Sequence, residues 1–537
     1  MRFVICLLLT ALVYLPALGD DADVKAVADA IRAEATRSND DPVGRPLPLS
    51  AHWNSGHDWH RRGMKPAFQV MLVEKGHHHL VGVHLPLPGQ KFHDGDLYFE
   101  APMKRLAQLR LPFTMEATQW ERLLTSEKRW FDLPAKQNPN AVDAGGRVLK
   151  KVSPFGPVEP WRECGRHWTD REHVRQLAKW YPNPPRVIFL SNNEHAKLRW
   201  HQAEKSKRYL TKFGKGKSAE FKRKVFAAGW IARYRALQSG MRDGLPTDAW
   251  KRAATFVGYE AFGPAHLGRW GGWMEYSLYE KARVDPWPLA WDGGSPSYYV
   301  HNWNPSTDHT VWSPQVESQN WVFMLDQALK LNPKFWWEIS LWDGHEPKRK
   351  DDMRKVYKRK GQKYDPTRYR GFLQFGMWLL RPRAVREFRG WTDTREQMMP
   401  YFQQVLDSVD AVHRDATLRE FWRKGRLVPN RAHQHPYQQN LPKELKEIDR
   451  WFQLNTSETP KRPWKLDTVI PVFAIALELG VRPTRRWLIY GHAPLQDKRS
   501  VSVTLPGFGD LKMDIARGGS FVVVTEKGRN VEPLAAE

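Results

Sequence analysis

The sequence predicts an α/β fold, a (β/α)8 TIM barrel followed by a small C-terminal antiparallel, β-sandwich-like domain. From about residue 65, short apolar or β-branched runs alternate with longer segments of helical spacing, a pattern typical of a parallel sheet. Eight such units follow one another, which favours a closed barrel over the alternative, a doubly wound open sheet. After Trp391 the alternation stops, and short strand-like runs separated by Gly and Pro follow.

The predicted barrel strands are short runs bounded by helix breakers or turn residues. The fourth is the clearest, because Pro184 and Pro185 end the preceding helix and a continuous apolar run follows, as in strands buried on both faces. The third is the weakest. The predicted strands cover residues 80–85, 111–116, part of 147–155, 186–190, 255–260, 297–301, 335–341 and 372–378.

Other segments complete the predicted organisation. A long basic helical stretch, residues 196–253, is inserted after the fourth strand, and the helix after the eighth strand starts at residues 381–383 with Pro382 in its first turn. Runs at residues 487–490, 500–504 and 520–525 predict antiparallel strands. The predicted divisions are a signal peptide at 1–19, an N-terminal extension at 20–64, the barrel at 65–425, a connecting segment at 426–465 and the C-terminal β-domain at 466–537.

The N-terminal segment predicts export. Arg2 precedes an apolar run that ends at the small-residue sequence Ala17-Leu18-Gly19, as in secretory signal peptides, so we expect a secreted or periplasmic protein after cleavage. The run is shorter than the roughly 20 residues of a membrane span, and no comparable run follows, so no integral membrane segment is expected. Cys164 is the single cysteine beyond the predicted signal peptide and is expected to be a buried apolar residue.

Charge and aromatic content point to a polymeric partner. The chain has 84 Lys and Arg against 59 Asp and Glu, a formal net charge of +25, which favours an acidic polysaccharide or nucleic acid; a solvated surface of mixed charge is the alternative. Basic residues concentrate at 199–224, directly after the fourth strand. The 26 tryptophans exceed the needs of core packing, and indole faces suit sugar rings as they suit bases.

Histidines cluster at His77, His78 and His79, which raises the question of a metal site. Adjacent residues of a strand point to opposite faces, so at most two of the three could share an ion, and a substrate contact or a turn is favoured. No Gly-rich phosphate loop, Ser-His-Asp arrangement or zinc-ligand spacing occurs elsewhere. The sequence therefore predicts neither a metal nor a cofactor.

Two glutamates stand near the C-terminal ends of predicted strands, where barrel enzymes carry their chemistry. Strand four leads into Asn193-Glu194, and strand seven carries Glu338. Hydrolysing a glycosidic bond with retention needs a carboxylic acid that protonates the leaving oxygen and a carboxylate that attacks the anomeric carbon, about 5 to 5.5 Å apart. Strands four and seven lie three positions apart around an eight-strand ring, so their ends can meet across its mouth. Glu116 and Asp343 compete for these roles, and a salt bridge or helix cap is the structural alternative.

This arrangement resembles clan A of the glycoside hydrolases, whose acid/base Glu follows an Asn at the end of strand four and whose nucleophile Glu lies near the end of strand seven. The resemblance covers roughly residues 65–390 and implies Glu194 as the acid/base and Glu338 as the nucleophile. The clan often has Pro after the acid/base Glu, where this chain has His195, so no family is assigned. Glu260, at the end of strand five, is the main rival within the pair.

The resemblance also implies substrate contacts. Strand six of the clan often supplies an aromatic hydroxyl to the nucleophile, and strand eight a Trp that floors the cleavage subsite. Simple packing is the alternative for each of these positions. The implied substrate-binding residues are Asn193, Tyr298, Tyr299, His301, Trp337, Trp378 and Glu260.

The leading hypothesis is therefore an exported retaining glycoside hydrolase that cleaves β-glycosidic bonds of a polysaccharide or oligosaccharide. Its positive charge makes an anionic polymer, such as a sulfated algal galactan, one candidate substrate. The alternative is a noncatalytic carbohydrate-binding protein on the same barrel. A nucleic-acid partner is supported by charge alone, and the export signal and the strand-end glutamates argue against it.

Overall fold

The computed structural model describes a large part of the chain. The described residues are 49–53, 70, 82–89, 99–117, 120–191, 200–259, 287–295, 332–340, 355, 358, 384–388, 415–430, 453–458, 472–493 and 496–534.

Within this part of the chain, ten strands precede residue 390. They are β1 (Leu49–Trp53), β2 (Gly82–His84), β3 (Phe113–Ala117), β4 (Asn140–Val142), β5 (Val148–Val152), β6 (Val187–Ser191), β7 (Ala254–Tyr259), β8 (Gly293–Ser295), β9 (Trp336–Ser340) and β10 (Ala384–Phe388). Eight of them form one sheet in the order β1-β10-β9-β8-β7-β6-β3-β2, and every neighbouring pair is parallel.

This strand order follows the chain around the sheet. The first strand, β1, pairs with the last, β10; β2 pairs with β3, and each parallel strand from β3 to β9 pairs with the parallel strands before and after it in the chain. A (β/α)8 barrel has the same order once the ladder between its first two strands is opened. No ladder among the described residues joins β1 to β2, so the closed barrel stays a prediction, while the parallel sheet with helices is observed.

The sheet is curved, because side chains from β6 and β9 meet on one face. β7 and β8 separate these strands, so in a flat sheet they would stand about 14 Å apart, at about 4.8 Å per strand. Yet the guanidinium of Arg186, just before β6, lies 4.4 Å from the ring centroid of Trp336 on β9. Trp336 also shares a buried cluster with Ile188 and Leu190 of β6 and Val257 of β7. This face is therefore concave.

Helices follow the strands in the described segments. They are α1 (Glu100–Leu109), α2 (Leu123–Ser126), α3 (Lys128–Phe131), α4 (Glu159–Thr169), α5 (Glu172–Trp180), α6 (Trp200–Ala203), α7 (Lys207–Phe213), α8 (Ala219–Asp243), α9 (Asp248–Ala253), α10 (Trp287–Ala290) and α11 (Ala416–Lys424). In that part of the chain, no helix is both long and apolar enough to cross a membrane.

Most of the described core lies between the sheet and its helices, and it is rich in tryptophan. Each tryptophan whose side chain is described is buried, so packing accounts for this share of the tryptophans; the other tryptophans lie outside the described side chains, and the expectation drawn from their number stays a prediction. α4 and α8 pack closely at two glycines. A Cβ on Gly165 would lie 1.9 Å from the carbonyl oxygen of Leu237, and one on Gly240 would lie 1.8 Å from that of Arg162.

The C-terminal strands form two antiparallel sheets, as the sequence predicts. The strands are β11 (Arg426–Leu427), β12 (Asn455–Thr456), β13 (Phe473–Leu479), β14 (Arg486–His492), β15 (Lys498–Leu505), β16 (Gly509–Ile515), β17 (Ser520–Thr525) and β18 (Asn530–Leu534). The sheet orders are β11-β13-β14-β17-β18 and β12-β15-β16. Side chains such as Trp487, Val503 and Met513 form a core between them. On its other face the larger sheet packs against α11 through Leu477 and Phe421.

The predicted third barrel strand is wrong. β5 pairs antiparallel with β4 in a separate two-stranded sheet. The turn between them is closed by Asp143, whose carboxylate accepts from the backbone N–H of Arg147 at 2.9 Å, and by Gly146, which has a φ of 89°. A Gly-containing loop between two short runs is a hairpin signal. The prediction of alternating strands and helices does not take this signal into account.

Other strand predictions for the parallel sheet also differ from the structure. Residues 384–388 form β10, so the helix predicted to start at 381–383 is wrong there. β8 occupies the position between β7 and β9, while the predicted strands 297–301 and 372–378 lie outside the described residues. β1 falls within the predicted N-terminal extension, so residues 49–53 contribute a strand to the sheet.

Candidate functional site

The C-terminal ends of the parallel strands lie along one edge of the sheet, and the sequence predicts the catalytic residues at this edge. β6 ends at Ser191, three residues before Glu194, and β9 contains Trp337 and Glu338. Two strands, β7 and β8, lie between them. The other predicted site residues lie outside the described residues: Asn193, Glu194, Glu260, Tyr298, Tyr299, His301 and Trp378.

Strand register places Glu338 one row beyond a row of mainly apolar residues that crosses β6, β7, β8 and β9. Trp336 of β9 is in register with Gly293, Gly293 with Val257, and Val257 with Leu190. The apolar members of this row share the buried cluster on the concave face. Alternate residues of a strand lie on the same face, so Glu338 is expected on the face of Trp336, one row nearer the C-terminal edge.

Glu116 is an acidic residue on the same face, but in the apolar row. It is in register with Leu190, and it is 5% exposed. Its neighbours in β3, Phe113 and Met115, belong to the core on the helix side, so Glu116 lies on the concave side with Thr114. Glu116 is therefore a full row further from the edge than Glu338.

Two excursions of the chain build the surface above the ends of β3 and β6. The first runs from residue 118 to 158 and includes α2, α3 and the β4–β5 hairpin; the second runs from residue 192 to 218 and includes α6 and α7. They pack together through Lys151, whose Nζ donates to Oε1 of Gln202 at 3.1 Å. Because both start at the C-terminal ends of strands, they lie on the side of the sheet where Glu194 is expected.

Arg208 of α7 fastens the second excursion to the first. Its guanidinium donates to the backbone carbonyl oxygens of Asn140 at 2.9 Å, Ala135 at 2.8 Å and Asn138 at 2.5 Å. Burial lowers the pKa of this guanidinium from its ordinary value. Two rings of α7, those of Tyr209 and Phe213, pack against each other and against the ring of Phe155. The position of α7 is thus fixed by both polar and aromatic contacts.

The second excursion carries a group of exposed lysines. Residues 200–224 contain nine Lys or Arg and two Glu, a net charge of +7. Six of the lysines are exposed and, in the described part of the chain, have no carboxylate within ion-pair distance; Lys224 lies in α8, and the other five precede that helix. We call these five residues the basic ridge: Lys205, Lys207, Lys212, Lys215 and Lys217.

The described residues offer neither a cluster of metal ligands nor a reactive thiol. Among the described residues, no group of three His, Cys, Asp or Glu could hold a metal ion. The three predicted histidines, His77, His78 and His79, lie outside those residues. Cys164 is buried, its thiol donates to the carbonyl oxygen of Trp120 at 3.5 Å, and burial raises its pKa well above the ordinary value, which disfavours the reactive thiolate.

Comparison with known proteins identifies no family for the chain. No family model matches it, and no curated protein matches it. Among solved structures it is similar to a glycoside hydrolase family 36 α-galactosidase from Geobacillus stearothermophilus in complex with raffinose, with 9% identity and a TM-score of 0.36. That match covers 95% of this chain and 59% of the α-galactosidase, so the chain spans less than two thirds of that protein.

A second similar structure is a double mutant of an endo-β-1,4-mannanase from Cellulomonas fimi. It has 9% identity and a TM-score of 0.30, and the match covers 92% of this chain and 98% of the mannanase. Likeness at these scores identifies neither the family nor the activity of the chain. The functional argument therefore rests on the residues and geometry of the sheet edge.

Proposed function

We propose that the chain is a retaining glycoside hydrolase that cleaves β-glycosidic bonds of a polysaccharide or oligosaccharide, with Glu194 and Glu338 as its catalytic pair. The observation that supports this proposal is the position of Glu338 in β9, two residues after Trp336, whose ring meets the side chains of β6. In the sequence Glu194 follows β6 by three residues. The proposal thus rests on two strands, β6 and β9, whose side chains meet on one face.

In the proposed reaction each glutamate has one task. The protonated carboxyl of Glu194 gives its proton to the glycosidic oxygen while the carboxylate of Glu338 attacks the anomeric carbon, and a glycosyl ester on Glu338 results. Ionised Glu194 then takes a proton from water, whose oxygen attacks the same carbon and releases Glu338. The configuration at the anomeric carbon is inverted twice and is therefore retained.

The remaining predicted residues would orient the sugar in this scheme. Asn193 contacts the hydroxyl next to the anomeric carbon, and a hydroxyl of Tyr298 or Tyr299 supports the nucleophile with His301 nearby. Trp378, Trp337 and Glu260 complete the predicted cleavage subsite. Export after removal of residues 1–19 belongs to the same proposal and rests on the apolar N-terminal run.

Replacing either glutamate by glutamine tests the proposal. Purified wild-type protein is incubated with neutral and sulfated polysaccharides, and released reducing ends are measured. On any polymer that the wild type cleaves, Glu194→Gln and Glu338→Gln are each expected to lose at least about 100-fold in kcat, because each removes a proton donor or a nucleophile that the reaction requires.

Two controls separate this result from a general loss of structure or charge. Glu163→Gln changes an exposed glutamate of α4 and is expected to keep full activity. Glu116→Gln changes the buried glutamate in the apolar row and is expected to keep at least a tenth of the activity. If Glu116→Gln is as inactive as Glu338→Gln while Glu194→Gln stays active, the proposed pair is wrong.

The alternative function is a noncatalytic carbohydrate-binding protein on the same fold. Such a protein would release no reducing ends from any polymer in the screen, and Glu338→Gln would change its affinity for glycans little. Hydrolysis by the wild type excludes this alternative.

A further inference from the structure

We propose that the basic ridge, together with the β4–β5 hairpin, binds the anionic groups of a polysaccharide, sulfate esters or uronate carboxylates, beside the candidate catalytic pair. The proposal rests on the proposed function, because it makes this surface a subsite of the polymer that is cleaved. It is favoured by four features of the described residues, namely their location, rigidity, uncompensated charge and aromatic neighbours.

The location follows from chain connectivity. Residues 192–199, which contain Glu194, join β6 directly to α6, and the basic ridge begins two residues after α6 ends. The ridge therefore belongs to the same loop excursion as the proposed acid/base. A polymer that occupied the concave face near Glu194 would meet this surface as it left the cleavage point.

The ridge is held by a fixed base. α7, which carries Lys207 and Lys212, is tied to the first excursion by the three carbonyl contacts of Arg208. Lys207 also approaches the hairpin turn, since a Cβ on Gly146 would lie 3.6 Å from its Nζ. Lysines on a fixed base lose little entropy beyond their own side chains when an anion binds.

The charge of the surface is left without internal compensation. Two nearby carboxylates are already paired, Asp143 with Nε of Arg147 at 3.2 Å and Glu204 with Nζ of Lys222 at 3.0 Å, and the exposed Glu220 of α8 forms no ion pair with a ridge lysine among the described residues. Five exposed lysines at close sequence spacing create a positive potential that attracts polyanions and is screened by salt.

Phenyl rings lie beside the cations. The ammonium groups of Lys212 and Lys217 stand 5.4 Å and 5.5 Å from the ring centroids of Phe213 and Phe221, and both rings are half-buried. On the hairpin side, Lys150 stands 5.5 Å from the ring of Phe131. A sugar polymer presents apolar ring faces and charged substituents in turn, which suits such a surface.

Binding of anionic polymers to charge-matched variants tests this proposal. The ridge variant carries Lys207→Gln, Lys212→Gln, Lys215→Gln and Lys217→Gln. The control variant removes four exposed lysines elsewhere, with Lys179→Gln, Lys424→Gln, Lys512→Gln and Lys527→Gln. Both are made in the Glu338→Gln background, and their thermal unfolding midpoints are compared with that of the parent to verify folding.

The probes are dextran sulfate, alginate, neutral dextran and a single-stranded oligo(dT), with affinity measured from 50 to 300 mM NaCl. The ridge variant is expected to bind dextran sulfate or alginate at least 10-fold more weakly than the parent at 50 mM NaCl, and the control variant less than 3-fold more weakly. Log affinity decreases with log salt concentration, and the magnitude of this slope is expected to be smaller by about 2 in the ridge variant than in the parent. The value follows by analogy with nucleic acids, where each released counterion contributes about 0.7 to 0.9 to the slope.

Several outcomes would overturn the proposal. Equal losses in the two variants would assign the binding to net charge alone, and tighter binding of oligo(dT) than of both polysaccharides would make nucleic acid the partner. Absence of binding to both anionic polysaccharides would remove the subsite. Because affinity is measured apart from hydrolysis, these outcomes are distinct from failure of the catalytic pair, which shows as unchanged reducing-end release in Glu338→Gln.

Discussion

At the scale of single residues, several charged groups are structural rather than functional. Arg233 of α8 is buried, and its guanidinium donates to the carbonyl oxygens of Gly156 and Gly229, so it joins α8 to the segment before α4. Burial lowers its pKa to about 9. Glu121 is likewise buried and accepts from the hydroxyl of Tyr234 at 3.1 Å. Perturbed ionisable groups can mark active sites, but the described contacts of Arg233 are internal backbone carbonyls.

His167 is a residue whose titration should be visible in stability. Burial lowers the pKa of His167 from its ordinary value of 6.5, and the nearby positive charge of Arg129 lowers it further. Glu127 raises this pKa, and Arg171 lowers it. Arg129 donates to Nε2 of His167 at 2.6 Å, which requires that nitrogen to be deprotonated. The folded state therefore favours the neutral ring, and its contribution to stability is complete above pH 6.5 and is lost as pH falls below it.

His167→Gln is expected to reduce the decrease in unfolding free energy between pH 7 and pH 5, measured by urea denaturation at each pH. Arg129→Gln should have an effect of the same sign, because it removes the positive charge that opposes protonation. A steeper pH dependence in either variant would contradict the assignment.

At the scale of elements, the close packing of α4 and α8 predicts that replacing glycine by alanine lowers stability, whereas helix propensity alone predicts that it raises stability. Alanine in a helix interior is normally favoured over glycine by about 1 kcal/mol. At Gly165 and Gly240 the added Cβ would meet backbone carbonyl oxygens of the partner helix. Gly240→Ala is therefore expected to destabilise the protein by about 1 to 3 kcal/mol in urea denaturation, because the helices must move apart.

Ser239→Ala is the control for this substitution. It adds alanine to the adjacent, exposed position of α8, where no partner helix stands, and should be neutral or slightly stabilising. Stabilisation by Gly240→Ala would show that the two helices are not in close contact.

The sequence predicts elements well where hydrophobic pattern and strand breakers agree. β3, β6, β7 and β9 fall on predicted strands because each has an apolar or β-branched run. β8 could not be found in this way, since it reads Gly-Gly-Ser. The structure explains why Gly293 of β8 is a glycine, because a Cβ at this position would lie 1.9 Å from the carbonyl oxygen of Trp336.

At the scale of the whole molecule, two errors of sequence interpretation offset each other. The sequence interpretation takes the third strand of the parallel sheet from within residues 147–155, which contain the hairpin strand β5 instead. It also assigns β1, the first strand of the sheet, to the N-terminal extension. β6 and β9 therefore kept the positions four and seven. The spacing of β6 and β9 in the sheet does not depend on which earlier strand is counted, because β7 and β8 lie between them in either case.

The candidate site was predictable only in part. Its position followed from a general property of parallel strands, whose C-terminal ends share one edge. The apolar floor of Ile188, Leu190, Val257 and Trp336 was not predicted, because the face on which a strand residue lies depends on sheet curvature and register. The packing of the β4–β5 hairpin against α6 and α7 is a contact over 51 residues of sequence, and local patterns carry no information about it.

The stereochemistry of the released sugar tests the central claim most directly. Wild-type protein is mixed with a polymer that it cleaves, and the anomeric protons of the new reducing ends are followed by proton NMR before mutarotation. Double displacement on Glu338 predicts that the first product has the same anomeric configuration as the bond that was cleaved. A first product of opposite configuration would require direct attack by water and would contradict the nucleophile role of Glu338.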